Sequence, residues 1–414
     1  MVTRRITYRL YPNRRQESLL HWARRMHCCL YNAAVANRKT QYQRFNHSVD
    51  YFEQQNSLPE FKQVWTEYKR LGSQTLQATL KLVDFAFKRF FKGLGKYPKF
   101  KSSRHYSGWD YPNKQSWKVT TNNGVNGYLN LRDLDITIQM RGKARTWGIP
   151  KTCTIFWRNR KWYASITVEC CSVRQTGKGA IGLDFGSKVA VATSDGDLIE
   201  SPKFLKQASG QITQLSKGLR RKRKPEKRKV KASRRWKKIN AQIGKIKRKV
   251  ANQRQDWTHK VAAQIVSGNS LVATEKLNLK GMTRKAKKGS KRKRQKAGLN
   301  RNLLDVAIGM LRESIKYKVI EAGGVFLEAP TQQLKPTQRC NKCWELTPKT
   351  LNDRVHICSH CGHNEDRDIN AAQVCLTWAR GWEPASLDAE SQSSTDCGSM
   401  KQLWTKKRQK RPPL

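Results

Sequence analysis

The sequence predicts a multidomain α/β chain, and three observations carry that prediction. Strand-like alternation opens the chain and returns after about residue 96, with helical periodicity between. "AIGLDFGSKVAVATSDG" (Ala180 to Gly196) reads as a buried strand, a tight turn and a second strand. "CNKCWELTPKTLNDRVHICSHCGHNEDRDINAA" (Cys340 to Ala372) sets two Cys-x-x-Cys pairs directly ahead of the acids Glu365, Asp366 and Asp368.

Taken in order, Ile6, Tyr8 and Leu10 alternate with polar residues up to Pro12 and predict a first strand over 1–12. Leu19, Ala23, Met26, Leu30 and Ala33 then fall at helical spacing, as do Leu76, Leu80, Val83, Phe87 and Phe90 before Gly93 and Gly95. The reading is a helical bundle over 13–95, inserted into a β-rich module whose remainder spans 96–174. "YPKFKS" (Tyr97 to Ser102) leaves the helical pattern, and "WKVT", "YLNL", "ITIQM" and "CTIFWRNRKWYASITVE" read as strands, the last as two about Arg158 and Asn159.

"RQTGKG" (Arg174 to Gly179) reads as a linker into an α/β domain over 175–338. From Gly210 to about Val266 the pattern is a basic helical stretch, with Ile239, Ile243, Ile246 and Val250 on one face and an interruption near Pro225. "LVATEKLNL" and "VFLEA" return to strand. "TRKAKKGSKRKRQKAG" reads as a mobile basic loop, and "LLDVAIGMLRESIKYKVIEAGG" as one helix. A ribbon over 339–363, a helix over 364–381 and a disordered basic tail over 382–414 complete the expected order.

Lys and Arg number 84 against 30 Asp and Glu, a formal net charge of +54. Self-repulsion of that size opposes compaction unless a polyanion neutralises it, so nucleic acid is the expected partner. A membrane surface is not: no lipidation signal, amphipathic anchor or membrane-length apolar run is present, and "MVTRRITYRLYP" lacks the apolar core of a signal peptide. The expected compartment is the cytoplasm, in association with the nucleoid; a monomer is the favoured oligomeric state.

The 11 cysteines are an odd number, with nothing to indicate an oxidising compartment. Cys340, Cys343, Cys358 and Cys361 have the spacing of two knuckles closing a tetrahedral Cys₄ zinc site, structural because no coordination position stays open. Cys28, Cys29, Cys153, Cys170, Cys171, Cys375 and Cys397 read as small core or surface residues, and His356, His360 and His363 as surface histidines beside the ribbon.

Asp184, Glu275 and Asp368 each sit at the edge of an expected element in an acid-poor chain. Carboxylates from three separate segments can converge at one end of a sheet, which is what a two-Mg²⁺ phosphodiester-cutting site needs. Taken singly, each acid also has a plain structural reading: a turn residue, a surface charge and a helix cap.

Here a family resemblance becomes specific. "GLDFGSKVAVATSDG", "ATEKLNLKGM" and "CNKC…CSHCGHNEDRDINAA", in that order, resemble the three RuvC motifs and interposed zinc ribbon of the TnpB (OrfB-type) transposon-encoded proteins, relatives of compact type V CRISPR effectors. "YRLYP", Tyr31-Asn32 and "YPKFKS" also look like that family, and the resemblance covers roughly residues 1 to 380. It implies an RNase H-like (RuvC) nuclease domain with an inserted zinc ribbon, and an N-terminal wedge β-barrel with an inserted helical recognition bundle. It further implies an RNA-guided, metal-dependent endonuclease that takes its guide RNA from the transposon end, reads a short target-adjacent motif and cuts double-stranded DNA at one site.

The family's catalytic acids map onto Asp184, Glu275 and Asp368, with Asp366 the nearest competitor for the third. Arg367 has two readings, a contact to the scissile phosphate or a pair with Glu365. One departure is visible: the first knuckle of the family continues as Cys-Gly, whereas Cys343 is followed by Trp344. Expected nucleic-acid contacts are Lys99, Lys101 and Arg104, with Tyr97 and Phe100 stacking on bases or packing the barrel, and Arg220, Arg221, Lys222, Arg234 and Arg235 on phosphate. The alternative function is a guide-dependent DNA binder without efficient cleavage. An actin-like ATPase is disfavoured, because no second Gly-rich phosphate loop follows "GLDFGS".

Overall fold

The computed structural model describes residues 2–172, 174–226, 230–286, 289, 291–350 and 353–381; the expected tail over 382–414, with Cys397, lies outside them. The chain divides into two compact units between Arg174 and Gln175.

In the first unit β1 (Val2–Tyr11) leads into α1 (Arg14–Phe45), whose start is held by a capping box between Asn13 and Gln16 and whose end is Asn46 in the left-handed conformation. Three further helices follow: α2 (Tyr51–Asn56), α3 (Leu58–Val64) and α4 (Ser73–Phe91). The two short ones lack an apolar period long enough to be read from sequence. The helix α4 packs on α1 through buried polar pairs as well as apolar ones: His27 Nδ1 lies 2.8 Å from Thr79 Oγ1, and Arg38 pairs with Asp84 at 3.3 Å.

Six strands complete this unit: β2 (Gly108–Tyr111), β3 (Trp117–Asn122), β4 (Val125–Leu131), β5 (Ile136–Lys143), β6 (Ile149–Arg158) and β7 (Lys161–Cys170). They pair antiparallel with β1 in the order β2-β6-β7-β1-β5-β4-β3. The opening strand therefore sits mid-sheet, and the helices are an insertion between it and the edge strand β2. Trp109, Trp117, Trp162, Tyr8 and Tyr111 fill the core, and the Tyr8 hydroxyl donates to Gly124 O at 2.8 Å. No β2–β3 ladder closes the sheet among the described residues, so by hydrogen bonding it is open where a barrel was expected.

The second unit is built on β8 (Gly179–Asp184), β9 (Val189–Thr193), β10 (Leu198–Glu200), β11 (Asn269–Glu275) and β12 (Val325–Ala329), in the order β10-β9-β8-β11-β12. The first three pair antiparallel and the last three parallel. The helices α5 (Phe204–Arg220) and α6 (Arg234–Gly268) cross between β10 and β11; the expected break near Pro225 separates them. After the short α7 (Leu279–Met282), α8 (Lys293–Val306) and α9 (Ile308–Glu321) form two helices where one was expected.

The break is Ala307, left-handed at φ 62, a conformation its sequence does not advertise. Beside it the buried Asp305 accepts from the N–H groups of Leu205 and Lys206 at the start of α5 and pairs with Arg254 at 2.6 Å. Helix α8 also begins inside the segment expected as a mobile basic loop, shortening it.

The chain then runs through α10 (Thr331–Leu334) and the two-stranded ribbon of β13 (Val355–Ile357) and β14 (Asn364–Asp366) to α11 (Arg367–Ala379). Pleat alternation divides the sheet's faces. Ile181, Leu183 and Val272 enter a core shared with residues of α6 and α9, while Ala273 joins Val374 and Cys375 of α11 on the other face. At Gly182 the helix comes so close that an added Cβ would fall 1.9 Å from Ala372 O, so only glycine admits α11 there.

Candidate active site and thiol ribbon

Asp184 is the last residue of β8 and Glu275 the last of β11. Leu183 pairs with Thr274 in parallel register, so the two acids leave neighbouring strands at the same carboxyl edge. Asp184 follows Gly182, and Glu275 follows Ala273, at the period-two spacing that points both at α11. Asp368 stands in the first turn of that helix. Asp184 and Glu275 thus end neighbouring strands, and the charge of Asp368 acts on Asp184.

Electrostatics register the meeting. Burial first, and then the charges of Glu275 and Asp368, push the Asp184 carboxyl up from 3.8 to about 8, against a smaller opposing effect of Arg367. Glu275 is also raised by burial, partly offset by the Thr331 hydroxyl and the Arg312 guanidinium. Cys375 is pushed up by burial and by the same two carboxylates. Arg312, Thr331 and Cys375 were not among the expected site residues: each lies in an ordinary helical context, and only packing brings it to the acids.

The acid cluster after the cysteines separates by role. Asp366, the competitor for the third position, is the N-cap of α11 and accepts from the N–H groups of Asp368 at 2.8 Å and Ile369 at 3.2 Å. The cap reading belonged to the wrong aspartate: Asp366 takes it, and the charge of Asp368 acts on Asp184. Glu365 is engaged by His363 at 3.2 Å and by Gln373 Nε2 at 2.9 Å. The Arg367 guanidinium grips Asp368 Oδ1 at 2.9 and 3.1 Å and donates to Asp353 O.

Among the described residues, one set of three or more potential ligands holds its donor atoms within 4.8 Å of one another: Cys340, Cys343, Cys358 and Cys361. Two of the sulfur separations, Cys340 to Cys361 at 3.7 Å and Cys343 to Cys358 at 3.5 Å, are far beyond a disulfide. They lie close to the roughly 3.8 Å edge of a tetrahedron with zinc–sulfur bonds of about 2.3 Å.

Burial opposes ionisation of Cys358, yet donors from Cys361, His360, Cys343 and Thr347 outweigh it and bring the thiol down to about 6. Cys343 is pushed the other way by burial and by its neighbours' sulfurs. The donor set fits a zinc ion, whose charge lets all four ionise. His360 is exposed as expected, but His356 is fully buried, is brought down to about 4 by burial and by Lys349, and is not a surface residue.

The expected nucleic-acid residues fall into two groups. Arg220 ends α5, Arg221 caps it and Lys222 follows, while Arg234 and Arg235 begin α6; all but the half-buried Lys222 are exposed. Lys99 and Arg104 are exposed, and Phe100 at 61% exposure packs no barrel. Tyr97 stands edge-on to Phe87 and Phe90 of α4. Lys101 is tied down: its ammonium lies 3.9 Å from the centre of the Tyr31 ring, and the Asn32 side chain bonds both its N–H and its carbonyl at 2.8 Å.

With that geometry in view, comparison with known proteins gives a consistent result. The OrfB_IS605 family model, described as a probable transposase, matches residues 165–286, which contain Asp184 and Glu275. A Cas12f1-like TNB domain model matches 309–375, containing the four cysteines and Asp368. The OrfB_IS605 helix-turn-helix model matches 1–47, where this chain has a strand and one long helix.

A protein of Escherichia coli (strain K12) named "Putative RNA-guided DNA endonuclease InsQ" is 27% identical over 84% of this chain and 85% of its own. A Streptomyces pristinaespiralis protein named "Putative RNA-guided DNA endonuclease" is 26% identical over 91% and 89%. The Cas12f1 chain solved by cryo-EM with sgRNA and target DNA matches with a TM-score of 0.51 at 12% identity, covering 91% of this chain and 98% of that one, a likeness of fold. In motif order, in the family models it matches and in relatives matched over most of their length, the chain is similar to the TnpB-type proteins of the OrfB_IS605 family.

Proposed function

We propose that the protein is an RNA-guided, metal-dependent DNA endonuclease whose single cutting site is the carboxylate edge formed by Asp184, Glu275 and Asp368. The observation that supports this best is the convergence of those three acids, with Asp184 pushed up to about 8 by burial and by the other two. Such a cluster is a deficit of positive charge, and it stands in a chain whose net charge is +54.

The three carboxylates would hold two Mg²⁺ ions, which supply charge stabilisation to the attacking water and the leaving oxygen of a phosphodiester. Oxygen donors alone suit that ion. Asp184 and Glu275 orient from rigid strand ends. Asp368 is oriented by its helix, whose first turn Asp366 caps, and Arg367 holds one Asp368 oxygen. The Cys₄ ribbon would hold a structural zinc. The basic residues at the facing ends of α5 and α6, with Lys99 and Arg104, would bind the phosphates of guide RNA and target DNA.

The test is to express the protein with its native flanking DNA, purify it in moderate salt and sequence the bound RNA. A discrete RNA with a constant scaffold and a variable end is expected. It should programme cutting of a matching duplex by the wild type, while the alanine variants of Asp184, Glu275 and Asp368 retain the RNA without cutting. Heterogeneous RNA released by modest salt would overturn guidance, and undiminished cutting by an acid variant would overturn the site.

A further inference from the structure

The two knuckles of the thiol ribbon are the same turn made twice. Cys340 N donates to Glu345 O at 2.9 Å and Trp344 N to Cys340 O at 3.1 Å; Cys358 N donates to His363 O at 2.8 Å and Gly362 N to Cys358 O at 3.0 Å. Trp344 thus holds the position that Gly362 holds in the second knuckle, at φ 68 against φ 71. A bulky side chain is disfavoured in that left-handed conformation and a glycine is not. The turn itself does not ask for tryptophan.

What the ring does lies outside the ribbon. It packs against the cluster of Ala273, Ala329, Leu334, Val374 and Cys375. Ala273 is two residues before Glu275 on β11, and Val374 and Cys375 belong to the helix that carries Asp368. Arg339 also holds the ring: its guanidinium lies 5.3 Å from the ring centre and donates to Trp344 O at 2.6 Å and Leu334 O at 2.9 Å. Arg339 O in turn accepts from the fully buried Asn370 of α11 at 2.7 Å, and Asn370 Oδ1 accepts from Asn341 N at 3.1 Å.

We propose that Trp344 is a positioning residue, a wedge between the first thiol knuckle and the floor beneath the three acids that seats α11 and thereby aims Asp368. The inference that Asp368 works in cutting rests on the function proposed above; the seating of α11 does not. The ribbon's own closure needs only the backbone turn, so removing the ring unseats the helix without opening the thiol cage.

The experiment compares the full-length wild type with Trp344→Gly and Trp344→Phe, reading zinc content, amide hydrogen exchange over α11, and Mg²⁺-dependent cutting with the co-purified RNA. Trp344→Gly should keep its zinc, since the turn is relieved. Its α11 amides should exchange at least about tenfold faster. Cutting should fall roughly a hundredfold, with a raised Mg²⁺ requirement, as expected for a displaced ligand. Trp344→Phe should stay near wild type in all three.

Unchanged α11 exchange in Trp344→Gly would overturn the wedge, and so would loss of zinc in parallel with the exchange, because the ring would then act through ribbon closure. Absence of cutting by the wild type would count against the proposed function alone, with the exchange comparison still deciding the wedge.

Discussion

The thiol ribbon and the acid edge adjoin along α11, yet they solve opposite problems. In the ribbon four soft donors crowd within 4.8 Å and share hydrogen bonds, a closed cage that suits one ion and excludes substrate. At the sheet edge three hard donors remain farther apart, and the charges of Glu275 and Asp368 act on the buried Asp184. The difference teaches that one helix can serve both: its first turn carries Asp368, while Asn370 and Gln373 just beyond it meet Asn341 in the first knuckle.

The sharpest break between the two sites comes from removing a donor from each. Asp368→Ala should lower the cutting rate by about three orders of magnitude or more while one zinc per chain remains, read by a duplex cleavage assay beside elemental analysis. Retained cutting would dissolve the distinction. Cys358→Ser should do the reverse in the first instance, losing zinc and unfolding the ribbon. Cutting should fall as a consequence, by about ten- to a hundredfold. Hydrogen exchange localised to 339–381 would show whether the damage spreads through α11.

A smaller effect concerns charge. The folded-state pKa of Asp184 lies above its unfolded value, so the native chain holds more protons than the unfolded one between about 4 and 8. Stability of the Mg²⁺-free, zinc-retaining protein should therefore fall as pH rises through that window. Asp184→Asn should flatten the fall, and added Mg²⁺ should raise Tm more at pH 8 than at pH 5 for the wild type only. Equal pH profiles for wild type and variant would show that the carboxylates do not repel as the geometry requires.

The smallest effect separates the two aspartates of the helix start. Asp366→Ala should cost about 1 kcal/mol of stability through the lost cap, whereas Asp366→Asn should retain both stability and cutting. Loss of cutting in Asp366→Asn at unchanged Tm would move Asp366 from the cap to the acid site.

Much of this was written locally. β1 and the insertion after it, the strand-turn-strand of "GLDFGSKVAVATSDG" and the Cys-x-x-Cys pairs are each set by side-chain type at a fixed spacing, and the three acids stand out at the edges of expected elements. Periodicity survives in a single sequence because burial of one face depends on neighbours two, three or four residues away. The same argument explains the misses. No local signal distinguishes Asp366 from Asp368, since capping depends on which carboxylate meets the free N–H groups. None announces a helix break at Ala307, where the partner that organises the neighbouring α5 terminus is Asp305, about a hundred residues from Leu205.

Tertiary structure alone decided what surrounds the acids. Arg312, Thr331 and Cys375 reach the acids by packing, and in the ribbon His356 is buried rather than solvated while Trp344 takes a glycine-like backbone conformation. By itself, then, the sequence determined the inventory: which donors exist, hard or soft, and in what order along the chain. Their distances, burial and shifted proton affinities were decided only by the fold, because electrostatic and packing energies depend on separation in space and not along the chain.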